Sequence, residues 1–532
     1  MRLTSTAGKV NRKTFSDRDR SFLAAHGISL QDAKHQIELL NRGTPFTNLD
    51  RPACVGDGIH RFTAHEADRL AVGYEDHLHT VQVTKFVPAS GAATRMFAVA
   101  SGFLNGRFHV KPEALSGECP PESGPASMLF QFFSGLRQGG FAFDGELDAA
   151  LRREGGSLRR ALKKGEYQRI LSTLLEPEYL GYAGRPKALI PFHREGGREY
   201  TPLEEHLAEA VAYGRGRKDV CRVHFTVAPE HREAISERAN KSLCRFQDMA
   251  HSFQVTYSVQ DPATDTLAIT PEGTLFRDES GNLLLRPGGH GALIRNLDSM
   301  NSDLAFIKNI DNVVPPRHAH VSVFWKKVMG GFLLRQQKRV FQLLRDLHSR
   351  DHGALSAAEK YTSEVLGYVA PPCLKEDSRI GWMIRHLDRP MRVCGMVENQ
   401  GEPGGGPFWV RDERNMSFLQ IVESAQINHD DSRQAEVARN STHFNPVDMV
   451  CGLRNFQGRN HALSEFVNPE TYFVTNKTHS GRPLKALEWP GLWNGAMHRW
   501  LTFFVEIPLS TFTPVKTVND LLRDEHQGDP GP

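Results

Sequence analysis

Four clusters in this chain combine residue types and spacing suited to handling a polyphosphate. Ser90-Gly91-Ala92-Ala93-Thr94-Arg95 follows a β-branched run (80–89) and opens a stretch with helical spacing. Small residues at such a turn let backbone N–H groups approach phosphate oxygens, a helix N-terminus favours an anion, and Arg95 adds a positive charge. The same small residues also serve plain close packing. Arg185-Pro186-Lys187 precedes the apolar, strand-like run KALIPF (187–192). A lysine at a sheet rim neutralises a phosphate or a departing pyrophosphate, although an isolated Pro-Lys pair also suits a solvated loop. Between Arg286 and Leu293, Gly288, Gly289 and Gly291 surround His290, a loop where a flat ligand can touch main chain. Upstream, the amide of Gln260 can read the edge of a base. Finally, Lys308-Asn309-Ile310-Asp311-Asn312 ends an apolar strand. One acid among phosphate-binding features suits magnesium (Mg2+), which needs one or two carboxylates plus substrate oxygens and water; Asp311-Asn312 also reads as a turn. No GxxxxGK[ST] string occurs, so a P-loop is not the explanation.

The elements around these clusters alternate. Residues 15–43 read as two short helices capped by Ser16 and Ser29 and stopped at Gly43. Residues 50–60 read as a Pro- and Gly-containing loop. Strands are predicted over 80–89, 221–229, 252–260 and 304–311. Helices are predicted over much of 126–180, from the Thr201-Pro202 cap to Gly214, and after residues 230 and 290. Strands recur at 392–397, 407–412, 418–424 and 501–508, with the loop-rich EPGGGP (402–407) between. Strand and helix in this rhythm mean an α/β fold, a mostly parallel sheet with helices on both faces. Ligands on such sheets sit at the carboxyl ends of strands, where the four clusters fall. The expected division is a helical N-terminal extension (1–75), a nucleotide-binding core (76–350) and a C-terminal part (351–532).

Composition narrows the partners. Lys plus Arg number 65 and Asp plus Glu 62, so the net charge of +3 argues against a nucleic-acid coat or a polybasic membrane binder. An anionic substrate must then meet a local cluster of cations. The N-terminus, MRLTSTAGKVNRKTF, is basic but lacks the apolar core of a secretory signal, and no run of 18 apolar residues predicts a membrane span. The seven cysteines are scattered with no CxxC, which suits reduced thiols in a cytoplasm and no zinc site. His318 and His320 form a lone HxH without partner ligands and read as surface residues.

The order of these pieces resembles the UDP-sugar pyrophosphorylases, UTP–sugar-1-phosphate uridylyltransferases of the nucleotide-diphospho-sugar transferase superfamily. That family carries a glycine-rich TR loop, a PK lysine, a base-reading Gln, a P-x-G-H/N-G segment and an x-D-N strand end in this order. Leu419-Gln420-Ile421-Val422-Glu423 resembles its sugar-side strand, Phe444-Asn445 its FN element, and IPLSTFTPVKTVNDLL (507–522) its phosphate-contacting lysine segment. The strings PASGAATRM, RPGGHGAL and KNIDNV also look like an uncharacterised bacterial family, domain of unknown function 4301.

The resemblance implies a Rossmann-like, GT-A-like fold. It also implies transfer of a nucleotide from a nucleoside triphosphate, in the family UTP, to a sugar 1-phosphate. Ser90, Gly91, Ala92, Thr94 and Arg95 would hold the triphosphate. Gln260, Gly289 and His290 would take the base, Lys187 and Lys516 would neutralise phosphate, Asp311 would hold magnesium, and Glu423 and Asn445 would touch the sugar. The family loop GGxGTRLG becomes ASGAATRM here, so the side chains of Ser90 and Ala93 are expected to narrow the room over the phosphates. That departure motivates a rival reading, a nucleotide-sugar binding protein without turnover. A glycosyltransferase is the other rival, disfavoured because Asp303 and Asp311 do not form a DxD metal motif.

Overall fold

The computed structural model of the protein describes residues 15–116, 121–246, 252–401 and 404–528. The basic N-terminal stretch through residue 14, Cys119, and residues 402–403 of the EPGGGP loop lie outside them. The centre is an eleven-stranded sheet. Its principal strands are β1 (Gly58–His60), β2 (Val83–Pro88), β3 (Val220–Val227), β4 (Ser252–Val259), β5 (Leu304–Lys308), β6 (Met391–Glu398), β7 (Asp448–Gly452) and β8 (Leu501–Glu506). They lie in the order β4-β3-β2-β5-β7-β6-β8-β1. Neighbours pair in parallel except at β7, which runs antiparallel to both β5 and β6.

The alternation of side chains shows why the sheet is covered twice. In β5, Leu304 and Phe306 enter one core and Ala305 and Ile307 another. In β6, Val393 and Val397 face the first and Cys394 and Met396 the second. A strand apolar on both sides needs a layer on each. The first is built by the 31-residue helix Ala319–Ser349 and the helix Ala64–Leu78, the second around Leu293–Asp298, Leu463 and Trp493.

Helix starts follow their predicted caps. Ser16 and Thr201 each form a reciprocal capping box, Ser29 accepts from the Asp32 N–H, and Gly43 ends its helix at φ +83°. Three readings need correction. The 50–60 loop carries Leu49–Pro52, which pairs with Gly406–Arg411, and Gly58–His60, which joins the central sheet. KALIPF is not a strand: Pro186 precedes it, Pro191 lies within it, and Lys187–Leu189 winds as a 3-10 turn. The stretch after Ser90 gives a 3-10 turn at Ala93–Arg95 and a seven-residue helix from Ala98, so no helix N-terminus meets the loop. The 76–350 and 351–532 segments share one sheet. The N-terminal helices pack Leu23, Ile37 and Leu40 on Leu267, Ile269 and Leu487 of a separate four-stranded sheet.

Candidate functional site

Gln260 and the segments 89–95, 309–312 and 507–516 all leave the central sheet at its carboxyl edge, directly after β4, β2, β5 and β8. Hydrogen bonds then draw three of them together. The Ala93 N–H donates to the Arg185 carbonyl at 2.9 Å and the Lys187 N–H to the Gly91 carbonyl at 3.2 Å, so the small-residue loop lies beside the Pro-Lys pair. At the end of β5, the Asn312 carboxamide accepts from the Thr513 N–H at 3.0 Å and donates to the Thr511 carbonyl at 3.4 Å. The Val515 N–H donates to the Asp311 carbonyl at 3.0 Å. A segment two hundred residues downstream is thereby strapped across the strand end.

The result is a charged triad. Lys187 Nζ donates to Asp311 Oδ2 at 2.9 Å and to the Val515 carbonyl at 2.8 Å. Lys516 Nζ approaches Asp311 Oδ2 at 3.3 Å and Oδ1 at 3.4 Å. The side chains of Lys187 and Asp311 are each 11% exposed, whereas that of Lys516 is 58% exposed. Lys187 is a built-in counter-ion, and Lys516 is an exposed cation on a long stem. Burial pushes the Asp311 carboxyl up, but the Lys516 and Lys187 ammoniums outweigh it and hold it below the usual carboxylate range.

Beneath this edge a buried ionic layer fixes β5. Lys308 donates to both oxygens of Glu209, at 3.0 and 3.2 Å, and Lys85 donates to Glu209 at 2.8 Å. His206 Nε2 meets the carbonyls of Asn309 and Ile310, both at 3.2 Å, and so carries the proton. Burial and the nearby Lys85 hold its imidazole neutral. The two residues before Asp311 are thus anchored by a helix on the far side of the strand.

His290 faces the same space. The surrounding protein lowers its pKa by desolvation, Lys516 and Arg95 add to that, and Glu488 and Asp311 oppose it. Its ring meets that of Trp493 at 4.5 Å between centroids. Trp493 donates from its indole N–H to Glu423 at 3.2 Å. Burial pushes the Glu423 carboxyl up, and that hydrogen bond works against it. Trp493 therefore connects the loop at His290 to the predicted sugar side. Nothing in the spacing of its Gly- and Pro-rich segment marked it. Asn312 stood in a quoted string, but as a turn residue.

The remaining predicted residues have distinct surroundings. Ser90, Gly91, Ala92, Thr94 and Arg95 are exposed, and Thr94 donates to the Ala183 carbonyl at 3.3 Å. Ala93 is fully buried among Met96, Phe97 and their neighbours, so its methyl does not intrude over a phosphate; of the two expected obstructions only Ser90 remains. Gly289 adopts φ +71°, while Gly288 and Gly291 serve close approach: a Cβ would come within 2.4 Å of the Thr264 and Pro490 carbonyl oxygens respectively. Gln260 donates to Thr264 Oγ1 at 3.2 Å, beside that loop. Asn445 is buried, with its amide donating to the Gly395 carbonyl at 2.8 Å and accepting from the Val447 N–H at 3.1 Å. Asp303 sits at the opposite end of β5, held by Arg217 and Arg454.

Among the described residues, no group of three or more His, Cys, Asp or Glu side chains is placed to hold a metal. A site for magnesium at Asp311 would have one protein carboxylate, with Oδ1 carrying only the long Lys516 contact. That suits an ion completing its shell with phosphate oxygens and water. No helix among the described residues is long and apolar enough to cross a membrane.

A family described as Domain of unknown function (DUF4301) matches residues 16–527. None of the curated proteins compared with the chain matches it. Among solved structures, the chain is similar to the uridine diphosphate N-acetylglucosamine pyrophosphorylase from Trypanosoma brucei, with 13% identity, 96% of this chain and 79% of that one covered, and a TM-score of 0.46. It is also similar to the UDP-glucose pyrophosphorylase from Leishmania major, with 13% identity, 95% and 78% covered, and a TM-score of 0.40.

Proposed function

For this chain, which belongs to the DUF4301 family, we propose nucleotidyl transfer from a nucleoside triphosphate, UTP in this reading, to a sugar 1-phosphate. The observation that supports it is the meeting of Lys187, Asp311 and Lys516 at the carboxyl edge of the sheet beside the 90–95 loop. In the reaction an oxygen of the sugar 1-phosphate attacks the α-phosphorus, a new P–O bond forms, and the bond to the β-phosphate oxygen breaks in line to release pyrophosphate. No protein nucleophile is required. The chain positions two polyanions and offsets their charge.

Lys187 cannot leave its place, because Asp311 and the Val515 carbonyl hold it; its charge is presented in a fixed geometry. Lys516 is free to exchange the long Asp311 contact for a phosphate oxygen. Arg95, exposed on its turn, adds a third cation on the loop side. Asp311 would hold magnesium, which when bound supplies further neutralisation of phosphate charge. The Gly289–His290 loop with Gln260 would take the base, and Glu423 with Asn445 would line the sugar side. We place the reaction in a cytoplasm, in keeping with six described cysteines that stand as free thiols.

Exposed Ser90 at the loop favours one other reading, a binding protein that retains the pocket without turnover. Incubation with UTP, magnesium and a panel of sugar 1-phosphates separates them. Pyrophosphate release dependent on one sugar 1-phosphate is expected. UDP-sugar binding without release would replace the transferase with the binding protein, and transfer of sugar to an acceptor would replace both.

A further inference from the structure

At the other end of the sheet, the helices Ala319–Ser349 and Ala64–Leu78 touch at Gly331, where a Cβ would fall within 1.9 Å of the Leu70 carbonyl oxygen. Beyond that contact they part. With the 454–458 loop they enclose an open cavity of about 690 Å³ beside Leu304, the first residue of β5. Its wall is apolar, with Leu334, Phe341 and Phe456. Its rim is basic. Arg69, Arg335 and Lys338 are exposed there, and none forms a hydrogen bond or salt bridge with a described residue. Arg335 lies over the Phe332 ring at 4.9 Å.

Two acids line the cavity, Glu66, which also closes a capping box with Thr63, and Asp303, which Arg217 and Arg454 take. Against them stand Arg69, Arg335, Lys338 and Arg454, so the balance of charge at the cavity is positive. A second observation points inward. Gln337 lines the cavity at 9% exposure, and its carboxamide forms no hydrogen bond with a described residue. It is seated over Gly452, where a Cβ would fall 2.1 Å from its nitrogen. With no partner in the protein, that amide is open to a polar ligand atom entering the cavity.

We propose that this cavity binds a small anion carried on an apolar body. An aromatic or acyl group packs against Phe341, Phe456 and Leu334, a phosphate or carboxylate lies among Arg69, Arg335 and Lys338, and Gln337 hydrogen-bonds a polar atom at the buried end. The site lies at the amino end of β5, whereas Asp311 follows its carboxyl end, so it is distinct from the nucleotide cleft.

Calorimetric titration of the full chain with 1-naphthyl phosphate, 1-naphthol and inorganic phosphate tests the proposal. The ester is expected to bind with Kd on the order of 0.1 mM, at least tenfold tighter than inorganic phosphate, and more weakly as salt is raised. Arg69→Ala/Lys338→Ala, both exposed positions, should weaken the ester at least tenfold and leave 1-naphthol unchanged. Gln337→Leu should weaken the ester severalfold while the circular dichroism of the protein is preserved. Absence of binding to the wild-type chain, an unchanged ester affinity in the double variant, or equal loss of ester and 1-naphthol would each overturn it.

Discussion

The two lysines on Asp311 differ in burial, and that difference predicts unequal consequences for folding and similar ones for turnover. Lys187→Ala removes a side chain that is 11% exposed, and leaves both the Asp311 carboxylate and the Val515 carbonyl short of a donor. Breaking a buried pair from one side costs about 3–5 kcal/mol. Native domains hold about 5–15 kcal/mol, so the variant still folds at 25 °C but with a clearly lowered urea midpoint. Lys516→Ala removes a side chain that is 58% exposed, with contacts of only 3.3–3.4 Å. Exposed pairs of that kind contribute about 0–1 kcal/mol, so its midpoint should barely move. If both ammoniums meet phosphate, each loss removes about 3–4 kcal/mol from transition-state stabilisation, on the order of a hundred- to a thousandfold in kcat/KM. Urea denaturation followed by circular dichroism, beside pyrophosphate release with the active sugar 1-phosphate, reads both quantities. A Lys516→Ala enzyme at full activity, or one destabilised as much as Lys187→Ala, would refute the assignment of a mobile substrate cation and a fixed counter-ion.

Asp311 also predicts a pH dependence. Its folded pKa lies below the ordinary 3.8, so its contribution to stability is present above 3.8 and lost as pH falls through the lower folded value. The gap in urea midpoint between wild type and Asp311→Asn should hold steady at neutral pH and close only below 3.8; a gap that closes near pH 6 contradicts this. Asn312→Ala releases the 511–513 segment and should cost about 1–3 kcal/mol together with a fall in turnover, because Lys516 rides on that segment. Unaltered kinetics in that variant would show that the strap is dispensable. Gly291→Ala drives a Cβ against the Pro490 carbonyl and should cost about 1–3 kcal/mol, whereas Gly91→Ala meets no atom within 4 Å and should leave the melting temperature unchanged. A reversed ranking would argue against the loop conformations described.

What could be read from residues alone followed local physics. Capping chemistry at Ser16, Ser29 and Thr201 located helix starts, and β-branched alternation located most strands of the central sheet. One exception is β7: Asp448–Gly452 was not read as a strand, and hydropathy carries no sign that a buried strand there runs backwards between its neighbours. The same limit applied at Pro52, Gly56 and Gly58, whose turn-forming character masked short pairings whose partners lie hundreds of residues away. Of the candidate site, Lys187 and Asp311 stood in clusters read from the residues, whereas Lys516 came only with the family resemblance; the geometry brings the three within hydrogen-bonding range. Trp493 and the clamping role of Asn312 were not, because each acts through a contact that exists only once distant segments meet. The burial of Ala93 was equally invisible, since which way a methyl points in an irregular turn depends on the layer packed beneath it.

The Lys187–Val515 contact spans 328 positions and the Lys516–Asp311 contact 205. No fragment shorter than the span from Lys187 to Lys516 contains this arrangement of charge. Contacts of such long range pay their loop-closure entropy before they return anything, and tend to consolidate late. After dilution from denaturant, ellipticity should recover first and catalytic competence last, and a chain trapped with its final strand undocked would look native by most spectroscopic criteria while remaining inert.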